Sequence, residues 1–231
     1  MKRLLVLCSV FILVLALPAI ATADWFENFD SYVLGSGLHG QGGWVGWGGS
    51  PGANAYVSNT ISHSPPHSAV VAGASDIVHE YFGYISGVWE YRTRQYVPTD
   101  FSGVSYFILL NFYNGGVNSN WSTQVQFNSA TDQVLSEFDN SALPLIMGRW
   151  VEILVVIDLN ANTQTISYDG QVLVLKSWTE GVSGGGALSI AAVDLFANNA
   201  SAVYYDDMSL APPGATAIKP ITFGRLKRLF R

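Results

Sequence analysis

Residues 149–175 read RWVEILVVIDLNANTQTISYDGQVLVL, and the fold class follows from them. The first part, RWVEILVVIDL (149–159), mixes alternation with a continuous apolar run. That combination predicts a central strand covered on both faces, as in a sandwich. Two further β-rich runs follow at 163–168 and 171–175, joined by Asp169-Gly170. This dipeptide marks a tight hairpin, because both central positions of such a turn need positive φ.

The same grammar extends in both directions. Short segments rich in Val, Ile, Tyr, Phe and Trp are separated by Gly, Asn, Ser and Pro, which is how sheet-forming chains are punctuated. Further strands are predicted near 26–30, 55–58, 68–72, 76–83, 88–97, 104–113, 122–128, 133–138, 187–197 and 202–210. In VWEYRTRQYV (88–97), Trp89, Tyr91, Thr93 and Gln95 alternate with Glu90, Arg92, Arg94 and Tyr96, so one face is unusually polar and aromatic. Many short strands at regular spacing predict an all-β chain, a two-sheet antiparallel β-sandwich of the jelly-roll type. Trp25 and Trp150, in apolar surroundings, are assigned to its core.

The two ends differ from this body. Met1-Lys2-Arg3, an apolar run from Leu4 to Ile20 and Ala21-Thr22-Ala23 have the three-part order of a secretory signal, with cleavage expected after Ala23. Pro18 interrupts a run already short for a bilayer span, and no other run is long enough for one. The only cysteine, Cys8, lies inside this segment, so thiol catalysis and thiolate metal binding are excluded for the mature chain. The expected location is secreted, extracellular or at the cell surface. From Ala211 the composition shifts to a Pro-containing linker and a basic tail ending at Arg231. The tail is either a disordered terminus or an amphipathic basic segment that contacts an anionic surface. The domain is placed at 24–210, where Arg92, Arg94, Arg149 and Lys176 face all seventeen acidic residues, a balance of −13 that argues against nucleic acid as a partner.

Several short runs resemble the concanavalin A-like lectin and glucanase superfamily, and within it the secreted bacterial domains related to laminin G and to carbohydrate-binding modules. They are the opening Phe26-Glu27-Asn28-Phe29-Asp30-Ser31-Tyr32, the turn Gly40 to Trp44, and the close Tyr204 to Leu210. The middle segments YVPTDFSG (96–103) and SYFILLNFYN (105–114) have the same flavour, so the resemblance spans about residues 25 to 210. It implies that the first and last strands pair and that carboxylates from them hold a structural calcium ion, with Glu27, Asp30, Asp206 and Asp207 as ligands. Calcium takes six to eight hard oxygen ligands and suits such a place. The alternative is that these carboxylates keep exposed edges soluble.

Three functions compete. Sugar sites combine exposed rings with amides, carboxylates and arginine, and the chain offers Trp89, Tyr91, Arg92, Arg94, Tyr96, Asn111, Tyr113, Trp121 and Gln124 as ligand-binding candidates, with Trp44, Trp47 and Gln126 beside them. In a jelly roll the concave sheet carries the ligand, and strands 88–97, 104–113 and 122–128 are expected to form that face. The expected partner is an extracellular glycan. The second possibility is a polysaccharide-cleaving enzyme of the same fold. The laminarinase-like Glu-x-Asp-x-x-Glu is incomplete, since Glu137-Phe138-Asp139 is followed by Ala142 where the third acid would stand. A lyase would draw on Arg92, Arg94, His79 and Tyr96. The third is a surface-display protein without a small ligand. His63 and His67 flank Ser64-Pro65-Pro66, which forbids a helix, so this segment is read as a loop.

Overall fold

The structure, a computed structural model, describes residues 24–215. Residues 1–23, expected to be a secretory signal, and the expected tail from residue 216 lie outside the described residues. Two antiparallel sheets face each other. Numbered in chain order, the first sheet runs β13 (Gln171–Ser177), β12 (Thr163–Tyr168), β11 (Trp150–Asp158), β6 (Val88–Tyr96), β15 (Val203–Ala211), β4 (Ser68–Val71), β3 (Tyr56–Ser58), with β1 (Trp25–Glu27) also on β15. The second runs β10 (Ala142–Pro144), β9 (Gln133–Ser136), β8 (Asn120–Asn128), β7 (Val104–Phe112), β14 (Ala192–Phe196), β5 (Asp76–Glu80), β2 (Trp44–Gly46). Among the described residues the one helical element is the 3-10 turn Trp47–Gly49, and no helix is long and apolar enough to cross a membrane.

The expected strands form, and the Asp169-Gly170 hairpin has φ of 49° and 76° at its two central residues. Two short strands escape the sequence pattern, β2 and β10. Each has three residues and carries Gly or Pro, so neither shows a readable alternation. In β11, Val151, Ile153, Val155 and Ile157 are buried while Trp150, Glu152, Leu154 and Val156 are half-exposed. The expectation of cover on both faces is therefore corrected: the sandwich has two layers, and among the described residues no third layer covers the first sheet. Trp150 is corrected with it, from core to the outer face, where its ring meets Tyr96 and His63. Trp25 does pack against the core, on Trp44 and Tyr91.

The core lies between the sheets. Tyr91 of β6, Phe107 and Leu109 of β7, Phe127 of β8 and Leu195 of β14 are all fully buried there. Each large apolar side chain so buried contributes about 1.5–3 kcal/mol. Two buried polar pairs lie here: Tyr81 and Tyr91 share a hydroxyl hydrogen bond of 2.9 Å across the layer, and Gln95 Nε2 donates to the Tyr205 hydroxyl on the neighbouring strand at 2.9 Å.

β15 organises the first sheet. Along one edge it pairs with β6; along the other it pairs first with β4 through Val203–Tyr205 and then with β1 through Met208–Leu210. The expected pairing of first and last strands is present. The change of neighbour falls at Asp206-Asp207, where the register with β6 shifts and Asp207 takes a left-handed φ of 45°. A bulge of this kind re-aims side chains, and here it turns two adjacent carboxylates toward the loop at 61–67.

Candidate functional site

The structure separates the predicted ligand-binding residues onto two layers. After β6 the segment 97–103 crosses from the first sheet to the second, so strands 88–97, 104–113 and 122–128 do not share one face, as had been expected. Arg92, Arg94 and Tyr96 lie on the outer face of the first sheet; Tyr113, Trp121 and Gln124 lie on the second. Tyr91 points into the core with no exposure. Trp89 stands at the sandwich end, where Nε1 donates to Ser86 O and the ring meets Tyr84 edge to face. Asn111 is buried and donates to Gly185 O at 3.0 Å, pinning the 181–191 loop.

On the first sheet, period-two alternation sends Glu90, Arg92 and Arg94 outward beside Glu152 of β11. Arg92 is held by Glu90 at 2.8 Å and Glu152 at 3.0 Å, and Arg94 NH2 meets Glu152 at 3.1 Å. Beside them opens a depression of about 320 Å³ lined in part by Phe26, His63, Asp207 and Ser209. Its wall is the loop 61–67, the Ser-Pro-Pro segment whose role the sequence does not reveal.

That loop engages three of the four predicted calcium ligands, Asp30, Asp206 and Asp207. Asp206 accepts the backbone N–H groups of His63 at 2.7 Å and Ser64 at 2.9 Å, and that of Asp207 at 2.7 Å. Asp207 accepts the Ser64 hydroxyl at 2.7 Å and meets His63 Nδ1 at 2.6 Å. Asp30 accepts His67 N–H at 3.1 Å, while Glu27 accepts Phe29 N–H at 2.7 Å and the Tyr32 hydroxyl at 2.5 Å. These carboxylates serve as anchors for loops rather than as one converging donor set. Among the described residues no three His, Asp or Glu side chains gather to hold a metal ion. The donor set thus does not fit the calcium expectation. Burial lifts the Asp206 carboxyl up to about 7, against the lowering pull of the Ser64 N–H and with help from the Asp207 charge.

The second sheet carries a different surface. On its outer face Val78, Ile108, Leu110 and Ala192 form a small apolar floor, separate from the main core. At one end the Trp47 and Trp121 rings stack, 5.7 Å apart and 17° from parallel, with Tyr113 edge-on to Trp47 at 5.3 Å. At the other end Tyr106 and Phe196 stack, 5.7 Å apart and 12° from parallel. Leu110 pairs with Trp121, and Tyr106 is four residues along the same strand, so the aromatic ends are roughly 13 Å apart. Trp47 stands beside the sequence-predicted ligand candidates rather than among them, and the Gly116 backbone runs close against its ring. Gly116 has φ of 80°, and a Cβ there would come within 2.7 Å of the Trp47 indole nitrogen.

Polar groups fill the space between these ends. The cross-strand row Val78, Asp194, Ile108, Gln124 crosses the middle, and the adjacent row is Asp76, Phe196, Tyr106, Gln126. Gln126 Nε2 donates to Glu137 at 2.6 Å and to the Tyr106 hydroxyl at 3.2 Å. Asp194 is buried against Asp76, and burial first, then the neighbouring acid, holds its carboxyl well above the usual carboxylate range. Asp76 is raised as well, again mainly by burial. Two acids in contact away from water cannot both ionise, so the pair shares a proton. The Oδ1 atoms of both are buried without a hydrogen-bond partner among the described residues. Neither acid was singled out from sequence, because a lone Asp in an otherwise apolar strand gives no sign of its cross-strand neighbour.

No protein-family model and no curated protein matches the chain. Among solved structures it is similar to a sialidase, at 8% identity and a TM-score of 0.56 over 84% of this chain and 19% of that one. It is also similar to a cellulose-induced protein, at 13% identity and a TM-score of 0.51 over 86% of this chain and the whole of that one. The chain therefore spans about a fifth of the sialidase. What these neighbours share with it is the fold, a two-sheet antiparallel β-sandwich.

Proposed function

We propose that the protein is a secreted, non-catalytic carbohydrate-binding domain that holds an extended stretch of extracellular polysaccharide across the outer face of the second sheet. The observation that carries this reading is the arrangement there: two stacked aromatic pairs roughly 13 Å apart, with the row of Asp194 and Gln124 between them and Asp76 beside Phe196. Half-buried rings suit the flat CH faces of sugars, and the half-buried Gln124 amide suits hydroxyls that fix orientation. Secretion rests on the order of residues 1–23. The fold shared with a sialidase and a cellulose-induced protein makes carbohydrate the first ligand class to test.

The Asp76–Asp194 pair favours binding over glycoside cleavage. A retaining hydrolase needs carboxyl groups about 5–5.5 Å apart. Here the two acids are in hydrogen-bond contact, which suits proton sharing and leaves no gap for a scissile bond.

The test is retention on insoluble cellulose, chitin, xylan and mixed-linkage glucan. The full chain should be retained on at least one of them, and Trp121→Ala should lower retention by about tenfold, in the range of a lost aromatic anchor. Retention on none of these matrices would sink the reading, as would equal retention of the variant.

A further inference from the structure

We infer that the depression on the opposite face, between Arg94, Glu152 and the 61–67 loop, is a second sugar site that takes a single neutral pyranose-sized residue. The inference rests on the carbohydrate reading above but uses none of the residues that carry it. The two sheets present these faces to opposite sides, so the two sites would not compete for one ligand.

Size and shape come first. A volume of about 320 Å³ lies at the small end of the range of about 300–1,000 Å³ typical of small-molecule sites. It is too small for a length of polymer, and one ring of sugar size suits it. The half-buried Phe26 ring supplies an apolar wall for a CH face.

Charge then narrows the ligand class. Arg92 is tied to both Glu90 and Glu152, Arg94 to Glu152, and His63 to Asp207. An anion entering the depression meets Glu152 and Asp207, and a cation meets two guanidinium groups. A neutral polyol meets neither penalty, because each of its hydroxyls both donates and accepts. The ion pair engages Nη2 of Arg94, and the rest of its planar fork carries N–H donors of the kind that hydroxyl oxygens accept. Ser64 and Asp207 lie on the opposite wall, where Asp207 can accept from a hydroxyl.

The wall is also preorganised. Asp206 is buried and receives three backbone N–H groups, two of them from the loop, so ligand binding does not have to order that segment. The left-handed Asp207 in the bulge aims its carboxylate at the same rim. Backbone strain of this sort costs stability and persists where the surroundings over-determine it.

The experiment titrates the full chain with D-glucose, D-galactose, D-mannose, D-xylose, N-acetyl-D-glucosamine and D-glucuronate, to about 100 mM because single sugars bind in the millimolar range, with amide NMR as the readout. At least one neutral sugar should shift His63, Ser64 and Arg94. Arg94→Ala should weaken that sugar at least about tenfold, and Arg94→Lys, which keeps the charge and the Glu152 pair but loses the fork, should weaken it as well. Trp121→Ala should leave it unchanged. The inference is overturned if none of the neutral sugars shifts these residues, if the Arg94 variants bind as the parent does, or if D-glucuronate binds more tightly than D-glucose. Loss of polysaccharide retention in Trp121→Ala with monosaccharide shifts intact would support both sites, whereas absence of retention with shifts intact would reject only the extended groove.

Discussion

The Asp206 carboxylate accepts the backbone N–H of Ser64 at 2.9 Å across 142 residues of sequence. This contact joins the bulge of the last long strand to a proline-containing loop near the start of the domain, and it sets the wall of the depression on the first sheet. Its strength depends on pH.

Burial raises the Asp206 carboxyl to about 7, whereas an unfolded Asp titrates at about 3.9. The folded state therefore keeps a proton over a range in which the unfolded chain has lost it. The stability contributed by this group is fully present below pH about 4 and declines as the pH rises to about 7. In Asp206→Asn this slope should vanish, so the variant gains on the parent between those limits and runs parallel above them. Urea unfolding at half-unit pH steps measures it; parallel profiles throughout would count against the assignment.

His79 should act in the opposite sense. It sits among the Trp25, Trp44 and Tyr81 rings, and burial holds its pKa down to about 4, although the Gly42 carbonyl pulls the other way. Its ordinary value is about 6.5. Neutral His79 costs nothing above that pH, and stability is lost as the pH falls from about 6.5 to about 4, where the unfolded chain protonates first. His79→Gln should flatten this acid limb in the same unfolding series, and an unchanged limb would show that other groups govern it.

The Tyr81–Tyr91 hydroxyl pair lies in the core, and Tyr91 is fully buried. Tyr91→Phe leaves the Tyr81 hydroxyl without its partner and should cost about 1–3 kcal/mol, the range for an unsatisfied buried group. The double variant Tyr81→Phe/Tyr91→Phe should recover part of that loss. Thermal and denaturant unfolding of the three variants form the cycle, and a double variant less stable than either single one would contradict it.

Gly116→Ala should act on the ligand face rather than on the core. Its φ of 80° and the 2.7 Å approach to the Trp47 ring both oppose a Cβ, so the ring or the backbone must shift, and the Trp47–Trp121 stack is expected to be disturbed. Polysaccharide retention should fall several-fold, with quenching of tryptophan emission altered, while sugar shifts at His63 and Arg94 remain. Unaltered retention would mean that the Trp47–Trp121 stack is not part of the binding surface.

Much of the architecture was legible in the chain itself. Period-two patterning located the long strands and Asp169-Gly170 announced its hairpin, because each of these is a local property of residue type and spacing, whereas the pairing of β1 with β15 was implied only by the family resemblance of the opening and closing runs. Alternation also divided β6 correctly into Tyr91, Thr93, Gln95 and Glu90, Arg92, Arg94, Tyr96. What alternation cannot state is the layer to which a strand belongs, since strands of either sheet bury one side against the same core. Only the crossing at 97–103 put Arg94 and Trp121 on opposite faces. The acidic pair at 206–207 was likewise visible as charge, but its partners are loop amides more than a hundred residues away, brought there by chain closure. Asp76 and Asp194 met for the same reason: neighbouring strands set two distant acids side by side, and their shared proton is a property of that encounter, not of either residue's sequence surroundings.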